Sequence, residues 1–381
     1  MGQHVRRGMH RGLRAASLIL FVLLPLPLLR GCRFPGSVRP TVKIGLVAPF
    51  EGQYRYVGYD VIYAVRLALV EANQDGGVGG YGVELVAYDD GGDPAVAPEQ
   101  VGKLDVDPEV VGAIGHFREA TTAAAVDAYV EAGIPFVAPA VFLPDAPGGE
   151  AGIYRLGPTA ERVAEALVER AWQLAPAGEV VLVTQGGPLG EAVERAARDR
   201  TDGALPVVSP EREGWEADVL ERQPAVVICD LEPVRAGEAV GALRHAGWSG
   251  AVLGGTALAA PDFAAVAGEA AVGVGFVTPW PLPGDVAGGE EFAAAYGDES
   301  GGTAPGPLAL PAYESTWTLL QALEEAAVGG EPTRSGVGAA LAGVERQGVL
   351  GRLSFGAGGA GADVRLHRYR IGPQGLPVRE G

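Results

Sequence analysis

The stretch TVKIGLVAPF at residues 41–50 decides the fold, because it reads as a buried strand from which the rest of the chain can be counted. From Tyr59 to Asn73, apolar residues recur at helical spacing (Ile62, Val65, Leu69), and the pattern stops in the glycines after Asp75. Val83 to Tyr88 is the next strand. Asp93-Pro94 is expected to open a helix, with the aspartate as N-cap and the proline at the first helical position. VVGAIG (110–115) is a third strand, Thr121 to Ala132 a helix closed by Gly133, and IPFVA (134–138) a fourth strand. Strict βαβ alternation with short connections implies a parallel sheet with helices on both faces.

A second alternating series begins near Thr159. A helix runs to Leu174, a strand from Glu179 to Thr184 and a helix from Gly190 to Arg200; VVICD (226–230) and AVLGG (251–255) then flank a helix ending at Gly247. The character changes around Thr278-Pro279-Trp280-Pro281. Two helical stretches follow (Leu310 to Val328, Val337 to Val344), and RLSF (352–355) with VRLHRYRI (364–371) is expected to form a hairpin. The expected fold is α/β: two doubly wound parallel-sheet lobes joined by three crossing strands. The expected division is residues 42–157 plus 279–350 for the first lobe and 158–278 plus 351–381 for the second.

At 381 residues and 48% hydrophobic composition, the chain is long enough for two domains with real cores. Glycine and proline are abundant (59 and 29) but follow no collagen period. With 29 basic against 47 acidic side chains the net charge is -18, the wrong sign for a nucleic-acid partner.

The N-terminus departs from this balance. Arg6, Arg7, Arg11, Arg14 and Arg30 lie in residues 1–31 without a single acid, and AASLILFVLLPLPLL (15–29) is apolar but short of the ~20 residues a spanning helix needs. Residues 1–31 read as a signal peptide and 32–41 as a tether. Leu29-Arg30-Gly31-Cys32 resembles the lipobox of bacterial lipoproteins, in which the cysteine receives the lipid. Arg30 departs from that pattern, and ordinary signal-peptidase cleavage with Cys32 incidental stays open beside it. Cys229, inside AVVICD, reads as an inert core thiol, and two cysteines exclude a disulfide framework.

Catalytic motifs fail on context. Gly77-Val-Gly79-Gly-Tyr-Gly82 and Gly356-Ala-Gly358-Gly-Ala-Gly361 satisfy G-x-G-x-x-G, but one precedes a strand and the other joins two. The only lysines are Lys43 and Lys103, so there is no P-loop. No G-x-S-x-G or H-E-x-x-H occurs, and the five histidines are scattered. The expectation is a protein without enzymatic activity, cofactor or metal. Asp89-Asp90-Gly91-Gly92-Asp93 lacks EF-hand spacing and reads as a turn with an N-cap, while Glu290-Glu291 and Glu324-Glu325 read as solvated helix faces.

KIGLVAPFEG (43–52), an alanine-rich helix ending in EAN (71–73), VELVAYDDGGDP (83–94), VVGAIGH (110–116) and AGIPFVAPA (132–140) form an ordered set. It resembles the periplasmic leucine/isoleucine/valine-binding proteins, the type I solute-binding proteins of ABC importers. Tyr154-Arg155, VVLVTQGGPLG (180–190), GALRHAGW (241–248), YESTWTLLQAL (313–323) and GRLSF (351–355) extend the resemblance from about Val42 to Ile371. It implies two α/β lobes that close on a ligand, an extracytoplasmic location and a membrane permease as partner, while the lipobox-like Cys32 adds the expectation of a lipid anchor to the membrane. An extracytoplasmic sensory or regulatory subunit of the same fold is the alternative.

In open α/β sheets ligands sit beyond the carboxyl ends of the strands, so the strand-to-helix loops line the cleft. Here these are Pro49 to Val57, His116 to Thr122, Pro139 to Phe142, Gln185 to Leu189, Asp230 to Pro233 and Gly255-Thr256. Carried over by resemblance, the carboxylate-binding serine falls on Glu119, a threonine donor on Phe142, the cleft tyrosine on Glu232 and the ammonium-binding glutamate on Thr256. Each lost hydrogen bond to a charged ligand costs ~1.5–3 kcal/mol, so tight binding of a standard branched-chain amino acid is not expected. The candidate ligand-binding residues are Tyr54, Tyr56, Arg118, Glu119, Ala120, Thr121, Ala140, Phe142, Glu232 and Thr256. An aromatic, charged pocket of this kind suits a ligand with a cationic or hydroxylated portion. Two plainer readings stay open: Arg118 and Glu119 as a solvent-facing neutral pair, and Tyr54 and Tyr56 as surface loop packing.

Overall fold

The structure is a computed structural model that describes residues 39–139, 148–200, 205–356, 358–361 and 364–380. All elements below lie within the compact unit Thr41–Gly381. Cys32, Ala140 and Phe142 fall outside the described residues.

The first sheet is built from β1 (Thr41–Ala48), β2 (Gly82–Asp89), β3 (Val110–Gly115), β4 (Phe136–Ala138) and β5 (Ile153–Arg155). The strands are all parallel in the order β2-β1-β3-β4-β5. Side-chain alternation along β1 divides it between two cores. Val42, Ile44, Leu46 and Ala48 join one hydrophobic cluster, and Val47 joins the cluster on the opposite face. Helix α1 (Arg55–Gln74) covers the first face through Val61, Val65 and Leu69. Helices α2 (Ala97–Asp105) and α3 (Glu119–Ala132) cover the second through Val101, Leu104, Val126 and Tyr129. Two covered faces are why β3, and β1 beyond Lys43, read as unbroken apolar runs. Gly133, with φ 63°, ends α3 in the left-handed conformation that glycine adopts without strain.

The chain then passes through Leu156–Thr159 to a second sheet. This part contains α4 (Ala160–Leu174), β6 (Val180–Thr184), α5 (Pro188–Arg200), β7 (Val207–Val208), α6 (Trp215–Arg222), β8 (Val226–Asp230), α7 (Pro233–His245), β9 (Ala251–Gly254), α8 (Pro261–Ala267) and β10 (Gly275–Thr278). The same alternation recurs: Val181, Val183, Val227 and Cys229 face one core, and Val180, Leu182, Val226 and Ile228 the other. Cys229 is buried, as expected of a core thiol.

After β10 the chain returns to the first core with α9 (Gly289–Ser300), α10 (Ala309–Ala327) and α11 (Arg334–Leu341). The hairpin of β11 (Glu345–Gly348) and β12 (Gly351–Ser354) follows, and a third passage leads to β13 (His367–Ile371) and β14 (Pro377–Glu380). The second sheet runs β14-β13-β10-β9-β8-β6-β7, parallel from β10 to β7 and antiparallel at β13 and β14. Chain order thus divides the strands between two large sheets, with the β11–β12 hairpin apart and three passages between the two halves, the two-lobe α/β architecture expected from the sequence.

Two local expectations are corrected. RLSF and VRLHRYRI do not pair with each other. Gly351–Ser354 folds back onto Glu345–Gly348, and His367–Ile371 is taken up between β10 and β14, because each finds a nearer unpaired edge. Asp93 does not cap α2; its carboxylate accepts from the Ala95 amide at 2.8 Å in a turn, and the helix begins at Ala97. Glu290, Glu291, Glu324 and Glu325 are exposed on their helices. Among the described residues, no helix is long and apolar enough to cross a membrane.

Candidate functional site

The carboxyl ends of both sheets border one cavity of about 320 Å3. From the first sheet it takes Phe117 to Ala120 at the β3–α3 junction and Tyr56 and Val57 at the start of α1. From the second it takes Gly186 to Leu189 after β6, Cys229 to Glu232 at the end of β8, and Gly255 to Ala257 after β9. These are the strand-to-helix loops that the topology assigns to a cleft. Pro307 and Leu308 complete the wall, and Asp60 brings them there. Its carboxylate accepts from the Gly306 amide at 2.7 Å and the Leu308 amide at 2.8 Å, fixing the loop that leads into α10. Burial holds the Asp60 carboxyl up at about 6.

The β3–α3 junction is built with strain. Phe117 has φ 60°, a left-handed conformation costly for a bulky residue, and is buried. It turns the chain so that Arg118 caps α3 in extended conformation and Glu119 opens the helix. The hydroxyls of Thr121 and Thr122 donate to the Arg118 carbonyl at 3.1 and 2.7 Å. Beneath this turn lies a fully buried chain of polar groups. His116 Nδ1 lies 2.8 Å from Asp90 Oδ2, and the Tyr129 hydroxyl 3.2 Å from His116 Nε2. Burial lowers the His116 pKa, which keeps the ring neutral, with Nδ1–H donating to Asp90 and Nε2 accepting from Tyr129. The Asp89–Asp93 segment is therefore more than a turn with an N-cap: Asp90, fully buried against His116, anchors the base of the site.

Across the cavity, Glu232 reaches from the start of α7 to the first sheet's residues. One carboxylate oxygen accepts a short hydrogen bond from the Tyr56 hydroxyl, and the other lies 3.2 Å from Arg118 Nη2. Arg118 also donates to the Gly92 carbonyl at 3.0 Å and stacks 3.3 Å from the Tyr54 ring centroid. The Arg118 partner is thus Glu232, not its neighbour Glu119. Tyr54 supports Arg118 rather than lining the cavity, whereas Tyr56 lines it. Ala120 and Thr256 line it too, Thr256 donating to Thr278 Oγ1 at 3.2 Å; Thr121 is buried behind the wall.

The remaining charge is acidic. Burial, then the charges of Asp230, Glu161 and Glu191, push the Glu119 carboxyl up to about 8. Burial also lifts Asp230 to about 6 against the opposing hydrogen bond from Thr184 Oγ1, 2.8 Å away. Burial and the Glu232 charge raise Tyr56, and burial pushes the Cys229 thiol up to about 12. Asp230, Phe117, Asp60 and the Pro307–Leu308 loop were not singled out as site residues from sequence. Asp230 was findable, since it ends an apolar strand; the Asp60–Gly306 contact spans 246 positions and leaves no local signal. Among the described residues, no group of three or more His, Cys, Asp or Glu is placed to hold a metal ion.

The family model described as periplasmic binding protein matches residues 41–371. The Leu/Ile/Val-binding protein homolog 2 of Brucella abortus is 32% identical over 104 residues, 27% of this chain and 28% of that protein, so the match spans little more than a quarter of the curated relative. The branched-chain amino acid transporter substrate binding protein of Streptococcus pneumoniae, in complex with isoleucine, has a TM-score of 0.78 at 19% identity, covering 89% of this chain and 100% of that one. An ABC transporter solute binding protein of R. palustris, in complex with benzoate, has a TM-score of 0.76 at 20% identity, covering 90% and 96%. The fold, the position of the cavity at the strand ends and the extent of the family match agree, and the chain belongs to the periplasmic binding protein family.

Proposed function

We propose that this chain is an exported solute-binding receptor that closes two lobes around a small polar molecule and presents it to an ABC permease. The observation that carries the reading is Glu232, which reaches from one sheet to Tyr56 and Arg118 of the other across a cavity bordered by strand ends. A ligand in that cavity touches both lobes and favours their closed arrangement by its differential affinity, and no bond need be made or broken. Residues 42–157 with 279–350 serve as one lobe and 158–278 with 351–381 as the other; the core contacts of Leu353 and Phe355 carry the first lobe slightly past residue 350.

The ligand is not a standard branched-chain amino acid. The S. pneumoniae protein holds isoleucine, but here the position expected to receive a ligand carboxylate is Glu119, and the nearby cation, Arg118, is engaged by Glu232. Mass spectrometry of the natively purified protein tests this: a co-purified polar solute other than leucine, isoleucine or valine is expected, and a stoichiometric branched-chain amino acid refutes it. The basic, apolar N-terminus and Cys32 support export and lipid anchoring. Cys32→Ser is expected to release the protein from the membrane fraction, and unchanged fractionation refutes the anchor.

A further inference from the structure

The charges around the cavity do not balance, and the imbalance says what the cavity is built to take. Arg118 is the one cation among the described lining side chains, and it is engaged by Glu232, whose other carboxylate oxygen accepts from the Tyr56 hydroxyl. Glu119 makes no hydrogen bond or ion pair with another described side chain. Asp230 has only neutral partners, the Thr184 hydroxyl and the Gly190 amide. The rest of the wall is largely apolar, with Val57, Phe117, Val163, Leu189, Leu231 and Leu308 around these two carboxyls. An anionic ligand entering here meets Glu119 and Asp230 and finds no free cation among the described lining residues, while a neutral one leaves the two acids uncompensated.

We propose that the cavity takes an organic ammonium cation without a carboxylate, its nitrogen held between Glu119 and Asp230 and its apolar body against the surrounding hydrophobic wall. This rests on the receptor reading above and names the chemistry of its solute. The ammonium supplies charge-assisted hydrogen bonds to both carboxyls, and the strength of that pairing grows with the shelter the wall gives. The raised Glu119 pKa has the same origin: a half-buried carboxyl near Asp230 on β8 and near Glu161 on α4 and Glu191 on α5, both paired with Arg195 of α5, while Arg118 beside it is already committed to Glu232. A bound cation reverses that balance and returns the proton to solvent.

Calorimetry on the purified full chain with matched probes tests the assignment: 3-methylbutylamine against leucine, benzylamine against benzoate, and 1,4-diaminobutane. The amines are expected to bind at least about tenfold more tightly than their carboxylate counterparts at about pH 8.5. Their affinity is expected to fall about tenfold or more towards about pH 6, as Glu119 takes up its proton. Glu119→Gln should lose both the affinity and most of this pH dependence. Asp230→Asn, which keeps a side-chain oxygen for Thr184, should weaken the amines while still melting cooperatively. If leucine or benzoate binds as tightly as its matched amine, the cation assignment is overturned and the receptor reading stands. Amine affinity unchanged in both variants overturns the site, and silence towards every probe overturns the receptor reading as well.

Discussion

Replacing Glu232 with alanine removes both contacts that span the cavity. Its side chain is 34% exposed and that of Arg118 19%, so this ion pair contributes only ~0.5–1 kcal/mol. The Tyr56 hydroxyl donating to the same carboxylate, in a more sheltered place, adds ~1.5 kcal/mol. Loss of about 2 kcal/mol raises the ratio of open to closed molecules ~30-fold without ligand. Glu232 also repels Asp230, but the two sit at the end of β8 and the start of α7 in the same lobe, so this repulsion is present in open and closed forms alike and does not offset the opening. Arg118 keeps the Gly92 carbonyl and the Tyr54 ring, so no bare buried cation is left to unfold the loop. Small-angle scattering reads the result directly: a larger radius of gyration for Glu232→Ala, with Glu232→Gln intermediate because its amide oxygen still accepts one hydrogen bond. A wild-type curve already matching the open form, or an alanine variant indistinguishable from wild type, refutes the latch.

Two further outcomes follow from the same structure. Glu119 has its folded pKa raised to about 8 from 4.5, so between those values the folded chain holds a proton that the unfolded chain has lost. Stability contributed at this site is therefore present below about pH 4.5, falls as pH rises towards 8 and is flat above. Thermal melts of ligand-free Glu119→Gln should match wild type near pH 4.5 and lie above it near pH 8.5; equal melting temperatures at both pH values contradict the burial of Glu119. Gly361→Ala brings a Cβ to 2.6 Å from the Leu156 carbonyl oxygen and breaks the approach that lets the Gly361 amide donate to the Arg155 carbonyl. A loss of ~2 kcal/mol in urea denaturation is expected, and a neutral result removes the steric argument for this glycine.

The second G-x-G-x-x-G stretch shows what sequence order could and could not reveal. The motif was rejected as a phosphate loop because it joins two strands, and the reason for its glycines appears only in three dimensions: Gly359 and Gly361 lie against the backbone of Ile153 to Leu156, where any Cβ would collide. Long apolar strands and the Gly133 cap were legible because burial on two faces writes a local pattern. The two-residue strand β7 was not, and of helix α9 only the solvated face at Glu290-Glu291 was. In α9 the buried contacts are Gly289 and the pair Phe292 and Tyr296, too few for a recognisable stripe among exposed acids. The hairpin assignment failed for a related reason: β12 and β13 are both strand-like, and only the supply of free edges decides their partners.

At the site, the loops were legible and their pairings were not. Topology alone places six strand ends at a cleft, but nothing local tells whether Arg118 turns towards Glu119 or across to Glu232. The choice has a chemical consequence. An arginine left free beside Glu119 would neutralise it, and the cavity could accept a carboxylate on balance. With Arg118 drawn to Glu232 and steadied by Tyr54, the positive charge serves closure, and Glu119 and Asp230 keep an uncompensated demand for a cation. Closure and selectivity thus draw on one guanidinium, and freeing it changes both together: Glu232→Ala also weakens the preference for amines, because Arg118, still held by Gly92 and Tyr54, becomes an uncompensated positive charge on the cavity wall.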